Sequence, residues 1–78
     1  MCNIAGYVGS RRAAPIILEM LRREEGFAGG FYSGLATMQG GKIFSEKLTG
    51  DTARLMRETP ALSCLGNIGI AHSRSKSG

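Results

Sequence analysis

The chain opens with the segment Cys2-Asn3-Ile4-Ala5-Gly6-Tyr7-Val8-Gly9. β-branched, aromatic and small residues that run up to a Gly-Ser pair predict a buried strand over residues 3–8. Because side chains alternate along a strand, Cys2, Ile4, Gly6 and Val8 are expected to share one face. A cysteine therefore directly precedes the predicted strand, on the same face as three apolar or small residues.

Cys2 is a candidate nucleophile that brings its own base. Removal of Met1 would leave a residue with both a thiol and a free α-amine. Unperturbed, the amine titrates near about 7.7–8.0 and the thiol near about 8.5, so the amine can accept the thiol proton, directly or through one water. This pair meets the minimal requirement for covalent catalysis. The alternative is that Cys2 is a small apolar residue near a chain terminus.

The remaining pattern predicts a small α+β domain. Residues 13–25 read as an amphipathic helix with Ile16, Ile17, Met20 and Leu21 packed on a core. Residues 31–38 and 42–48 read as two antiparallel strands, since Gly40 and Gly41 suit the positive φ angles of a tight hairpin. Asp51 is expected to cap a helix over residues 52–58, a loop follows over 61–66, and residues 67–73 read as the last strand.

The last strand carries a second chemical signal. With a period of two, His72 and Arg74 follow Ile68 and Ile70 on one face, so an apolar face becomes polar where the strand ends. An Arg at such a rim presents a planar fork suited to a carboxylate. The alternative for Arg74 is a solvated side chain, as most exposed Arg residues are.

Four stretches in order resemble the class II glutamine amidotransferases, which are N-terminal nucleophile hydrolases. Residues 1–9 resemble the family's Met-Cys-Gly-Ile opening, and residues 13–23 resemble its first helix. Residues 29–37 fall without a gap on a Gly-Tyr-Asp-Ser-Ala-Gly-Ile-Ala-Thr segment. Residues 69–74 resemble Gly-Ile-Gly-His-Thr-Arg. The resemblance runs the length of the chain and identifies residues 1–78 as the N-terminal part of such a domain.

The resemblance implies an α+β fold with two stacked antiparallel sheets between helical layers, of which this chain would supply the front part. It also implies a glutaminase activity. Cys2 would be the catalytic nucleophile that forms a thioester with glutamine, and Arg74 would bind the α-carboxylate. Ser77 matches a family Thr near the bound glutamine and would donate a hydrogen bond, with a solvated loop residue as the alternative. His72 matches a family histidine but is expected to be structural.

We expect no cofactor, and no metal site either, because Cys2, Cys64 and His72 have no short Cys-x-x-Cys or His-x-x-x-His spacing. The partners follow from the resemblance. Ammonia would pass to a synthase or acceptor domain or subunit, and homo-oligomerisation stays open. The family's domain is longer, with its Asn-Gly oxyanion hole and amine-binding Asp beyond the point where this sequence stops. We therefore expect a front fragment, weakly active or inactive alone, with a natural mini-protein as the alternative.

Departures from the family pattern lead to two further expectations. Asn3 stands where Gly is usual, which would bring a side chain close to the reacting thiol. Ala28 and Phe31 replace an Arg and an Asp of the aminotransferase branch. These changes predict a divergent branch of the family, with an unassigned ammonia acceptor.

Composition disfavours other classes of function. The chain has ten basic and six acidic residues and a net charge of +4, but the basic residues are dispersed and no basic stripe is interleaved with aromatics. A nucleic-acid-binding module is thus a weaker alternative than a non-catalytic interaction domain that keeps the fold. Cys2 and Cys64 are expected to be thiols. With no apolar run of about 18 residues and no signal peptide, we expect a cytoplasmic protein.

Overall fold

The structure, a computed structural model, describes residues 2–76. Its elements in chain order are β1 (Cys2–Val8), α1 (Ala13–Glu24), β2 (Tyr32–Gln39), β3 (Lys42–Leu48), α2 (Thr52–Glu58), a 3₁₀ turn (Ala61–Ser63) and β4 (Ile68–Arg74). The predicted strands and helices all form, with bounds that differ by no more than one residue. The 3₁₀ turn lies inside the segment that was predicted as a loop.

The four strands form one antiparallel sheet in the order β1-β4-β2-β3. The β2–β3 hairpin pairs Gln39 with Lys42, so Gly40 and Gly41 alone make the turn. Both have positive φ, at 60° and 79°, which confirms the predicted tight turn and its need for glycine. β4 comes last in the sequence but lies between β1 and β2, which the local pattern did not indicate.

Both helices pack against one face of the sheet, called the covered face below. The α1 side chains that reach it are fully buried, and from the strands the covered face includes Ala5, Leu35 and Ala71. In α1 the buried residues are Ala13, Ala14, Ile17, Leu18 and Leu21. The prediction that Met20 packs in the core is wrong: Met20 is 43% exposed and Leu18 takes its place in the stripe. Positions 14, 17, 18 and 21 follow the helical period more closely than the stripe through Met20.

The opposite face of the sheet, called the open face, has no helix on it within residues 2–76. It includes alternating residues of each strand: Cys2, Ile4, Gly6 and Val8 of β1, Ile68, Ile70, His72 and Arg74 of β4, Tyr32, Gly34, Ala36 and Met38 of β2, and Ile43, Ser45 and Lys47 of β3. Ile4 is 73% exposed and Val8 is 78% exposed. The predicted sharing of one face by Cys2, Ile4, Gly6 and Val8 is confirmed, whereas the predicted burial of that strand holds only for its other face.

The fold is α+β, with a four-stranded antiparallel sheet and two helices in a single layer. This arrangement agrees with the front part of an N-terminal nucleophile hydrolase fold. Asp51 caps α2 as predicted, because its carboxylate accepts the Arg54 backbone N–H at 2.9 Å. The chain after β3 therefore turns back, and α2 packs over the covered face.

Candidate active site

Cys2 lies at the first position of β1, on the open face, and its side chain is exposed. Its thiol is therefore accessible to a small molecule that approaches the sheet. The other cysteine differs. Cys64 is buried in the core cluster, and burial raises the pKa of its thiol, helped by the nearby charge of Glu46. A buried thiol of raised pKa is a poor nucleophile at neutral pH, so Cys2 is the cysteine suited to chemistry.

Arg74 lies directly opposite Cys2 in the β1–β4 register and on the same face. On its other side it lies opposite Tyr32 of β2. The guanidinium carbon of Arg74 is 5.4 Å from the centroid of the Tyr32 ring, within the range of a cation–π contact. Cys2, Arg74 and Tyr32 thus form one rung across three strands, called the terminal rung below, since each residue is at the end of its strand.

His72 lies two residues before Arg74 and flanks a shallow trough on the open face. Its ring stacks with Tyr32 at 6.5 Å between centroids and an interplanar angle of 19°. The trough has a volume of about 310 Å³ and is lined by largely apolar groups, among them Ile4, Ala36 and Ile70. The pair Cys2 and Arg74 is the next pair on the same face of the sheet after the pair Ile4 and His72, towards the end of β4. The terminal rung therefore lies beside one end of the apolar trough.

The residues that alternate with Cys2 and Arg74 project to the covered face. The side-chain amide of Asn3 donates to the backbone carbonyls of Glu24, at 3.2 Å, and of Ala28. The expectation that Asn3 brings a side chain close to the thiol is therefore wrong, because strand alternation sends it to the other face. Ser73 of β4 is fully buried there, opposite Asn3 in the register.

Ser77, the second predicted substrate-binding residue, lies outside the described residues. Tyr32 and Glu25, by contrast, are close to the site and were not singled out from the sequence. Tyr32 belongs to a predicted strand, but its contact with Arg74 depends on β4 pairing with β2, which is not a local signal. Glu25 contacts Ser73 across 48 residues of sequence.

Within residues 2–76 no group of three His, Cys, Asp or Glu side chains is arranged to hold a metal ion. In the same part of the chain no helix has the length and apolar character needed to cross a membrane.

Comparison with known proteins gives sequence relatives for this chain, although no family profile matches it. It is 43% identical over 74 residues to a glutamine–fructose-6-phosphate aminotransferase (isomerizing) of Pyrococcus horikoshii. It is 36% identical over 77 residues to the protein of that name from Mycobacterium bovis, and 36% identical over 74 residues to that from Clostridium tetani. Each match covers 95% of this chain and 12% of the relative.

These matches and the fold agree with the resemblance to the class II glutamine amidotransferases seen in the sequence. The part of these relatives that the chain matches is their N-terminal glutaminase part. The chain spans about an eighth of the length of these relatives, 12%. The relatives carry the aminotransferase name, while the expectation that Ala28 and Phe31 mark a divergent branch stays a prediction.

Proposed function

We propose that this chain is the nucleophile-bearing part of an enzyme that hydrolyses the side-chain amide of glutamine. The observation that carries the proposal is the terminal rung, in which Cys2 and Arg74 face each other on neighbouring strands. Residues paired in this way are roughly 4.5–5.5 Å apart at Cα, and both side chains project to the open face. One small amino acid can therefore contact both the thiol and the guanidinium.

Arg74 has the chemistry to bind the α-carboxylate of glutamine. Its guanidinium offers two parallel N–H donors to a carboxylate, and the Tyr32 ring restricts the directions it can take. With the carboxylate at Arg74, the side chain of glutamine extends along the sheet surface towards Cys2. The apolar trough beside His72 lies next to this path.

The proposed reaction uses the α-amine of Cys2 as its base. The amine takes the thiol proton, and the thiolate forms a bond with the amide carbon of glutamine. As the carbon–nitrogen bond breaks, the protonated amine gives its proton to the leaving ammonia. Water then attacks the thioester carbon, which returns the thiol and releases glutamate. The tetrahedral intermediates need preorganised hydrogen-bond donors, and loss of one such donor costs about 10²–10³ in rate.

Ammonia would pass to an acceptor domain or subunit. The name of the relatives points to fructose 6-phosphate as the acceptor in those proteins. We propose the same acceptor for the protein that contains this chain. We also propose that Ser77 donates a hydrogen bond to the bound glutamine.

The test is the intact mass of the protein as the cell makes it, with and without a diazoketone analogue of glutamine. We expect Met1 to be absent and one adduct to form. Cys2→Ser should form no adduct, whereas the matched control Cys64→Ser should be labelled like the wild type. Arg74→Lys should raise the half-saturating analogue concentration about tenfold or more, since it loses the fork that binds the carboxylate.

Retention of Met1 or labelling at Cys64 would contradict the proposal. A non-catalytic interaction domain is then the better description, and one observation favours it as the second candidate: apolar side chains such as Ile4 and Ile70 are largely exposed on the open face.

A further inference from the structure

Glu25 joins three elements behind the terminal rung. It directly follows α1, and its carboxylate accepts the backbone N–H of Thr52, at the start of α2, at 3.0 and 3.2 Å from its two oxygens. It also accepts the Thr52 hydroxyl at 2.6 Å and the Ser73 hydroxyl at 2.5 Å. Both Thr52 and Ser73 are fully buried. One carboxylate thus ties the end of α1 to α2 and to β4.

Ser73 extends this network to the segment before β2. Because its proton goes to Glu25, the Ser73 oxygen is free to accept the Gly30 backbone N–H, at 2.8 Å. The next residue, Phe31, donates its N–H to the Arg74 carbonyl at 3.0 Å. Gly29 makes this close approach feasible, since it has φ of +96° and a Cβ there would lie 2.6 Å from the Ser73 oxygen. The segment before β2 is thus hydrogen-bonded to two consecutive residues at the end of β4.

The terminal rung needs such support more than the rungs before it. In the described chain, the ladders of β1 and β2 with β4 both end at Arg74, and strand ends open more readily than strand centres. Ser73 immediately precedes Arg74 and projects to the opposite face. A hydrogen bond to an ionised acceptor is stronger than one between neutral groups, so Glu25 can hold Ser73 firmly from behind.

We propose that Glu25 is a positioning residue that holds the Arg74 end of β4 in the geometry that binds glutamine. It acts through Ser73 and does not touch the substrate. The proposal rests on the proposed function, in which Arg74 binds the carboxylate. Loss of Glu25 leaves the Ser73 and Thr52 donors buried without their acceptor, which favours opening of this end of the strand.

The first measurement is amide hydrogen exchange in Glu25→Ala, with Glu24→Gln as the matched control. Glu24 is the neighbouring carboxylate and makes no bond to Ser73 or Thr52. We expect exchange at Gly30 and Phe31 to rise about tenfold in Glu25→Ala, with little change in the β2–β3 hairpin. Glu25→Gln, which keeps one acceptor oxygen, should fall between Glu25→Ala and the wild type. A uniform rise at all amides would overturn the proposal, since it would mean a loss of global stability only.

The second measurement is the concentration dependence of Cys2 labelling by the diazoketone analogue. Glu25→Ala should raise the half-saturating concentration about tenfold and change the maximal rate less than threefold. In the Arg74→Ala background, Glu25→Ala should not raise the half-saturating concentration further, because the effects of two substitutions that act through the same interaction are not additive. A merely structural role would lower the labelled fraction without changing the half-saturating concentration, and that result would overturn the proposal.

The two measurements separate this proposal from the proposed function. If the wild type is not labelled at Cys2, the glutaminase proposal fails, and the exchange rates at Gly30 and Phe31 alone decide whether Glu25 holds the terminal rung.

Discussion

The two faces of the sheet use the same strands for different purposes. On the covered face, Ala5 and Ala71 are each only 3% exposed and pack against α1, whereas the adjacent residues Ile4 and Ile70 on the open face are 73% and 65% exposed. Because neighbouring side chains alternate, each strand supplies the core with one residue and the candidate site with the next. Stability and substrate access are thereby separated by a single peptide unit.

The largest expected effect tests whether the covered face carries the stability. Ile17 is fully buried and Ile43 is 69% exposed, so the same substitution can be compared on both sides. Ile17→Ala should lower the free energy of unfolding by about 2–5 kcal/mol, because it removes buried methyl groups and leaves a cavity. Ile43→Ala should change it by less than about 1 kcal/mol. Urea unfolding followed by circular dichroism measures both.

If Ile17→Ala does not fold, the milder pair Ile17→Val and Ile43→Val serves the same purpose, with about 0.5–1.5 kcal/mol expected for the buried site. Equal losses of unfolding free energy at the two positions would contradict the difference between the faces, since they would show that the open face is buried in solution.

A smaller effect of opposite sign concerns the end of α1. One carboxylate oxygen of Glu24, Oε1, is buried without a hydrogen-bond partner among residues 2–76, and a negative charge at a helix C-terminus is itself unfavourable. Glu24→Leu should therefore raise the free energy of unfolding by about 1 kcal/mol. Thermal unfolding checks this, with Glu24→Gln as the control that keeps a polar atom there. A destabilised Glu24→Leu would mean that the carboxylate has a partner in solution.

The smallest effect is expected on the solvent side of α1. Hydrogen bonds from Arg22 and Arg23 lower the pKa of Glu19 to about 2 from its ordinary value of 4.5. A lowered folded-state pKa stabilises the protein above about pH 4.5, and this contribution disappears as the pH falls from 4.5 through 2. The melting temperature of the wild type should thus exceed that of Glu19→Gln at neutral pH and converge with it near pH 2.

The difference in melting temperature between the wild type and Glu19→Gln should also decrease at high salt, because Glu19 and its partners are exposed and such ion pairs are screened. A gap that persists at pH 2 would contradict the assignment of the stabilisation to the ionised carboxylate.

Local signals in the sequence predicted the elements well. The Gly40-Gly41 turn, the Asp51 cap and the alternation in β1 and β4 depend on neighbouring residues, and each is found in the structure. The direction of the Asn3 side chain could also have been predicted in this way, since alternation places it on the other face of the strand from Cys2.

Other features depend on residues far apart in the chain. The position of β4 between β1 and β2 brings Tyr32 to Arg74, and no local pattern specifies that pairing. The Glu25 network joins three elements for the same reason. The apolar residues of β1 suggested burial, but periodicity does not tell which face of a sheet other elements cover.

The strand order has a consequence for the time at which the chain acquires its chemistry. Cys2 is synthesised well before Arg74, yet the two residues are direct partners across β1 and β4. Such pairing between distant residues is the kind that slows folding. On the ribosome, the Cys2 thiol is therefore present before its proposed carboxylate-binding partner Arg74, which reaches it only when β4 has emerged and inserted between the two earlier strands.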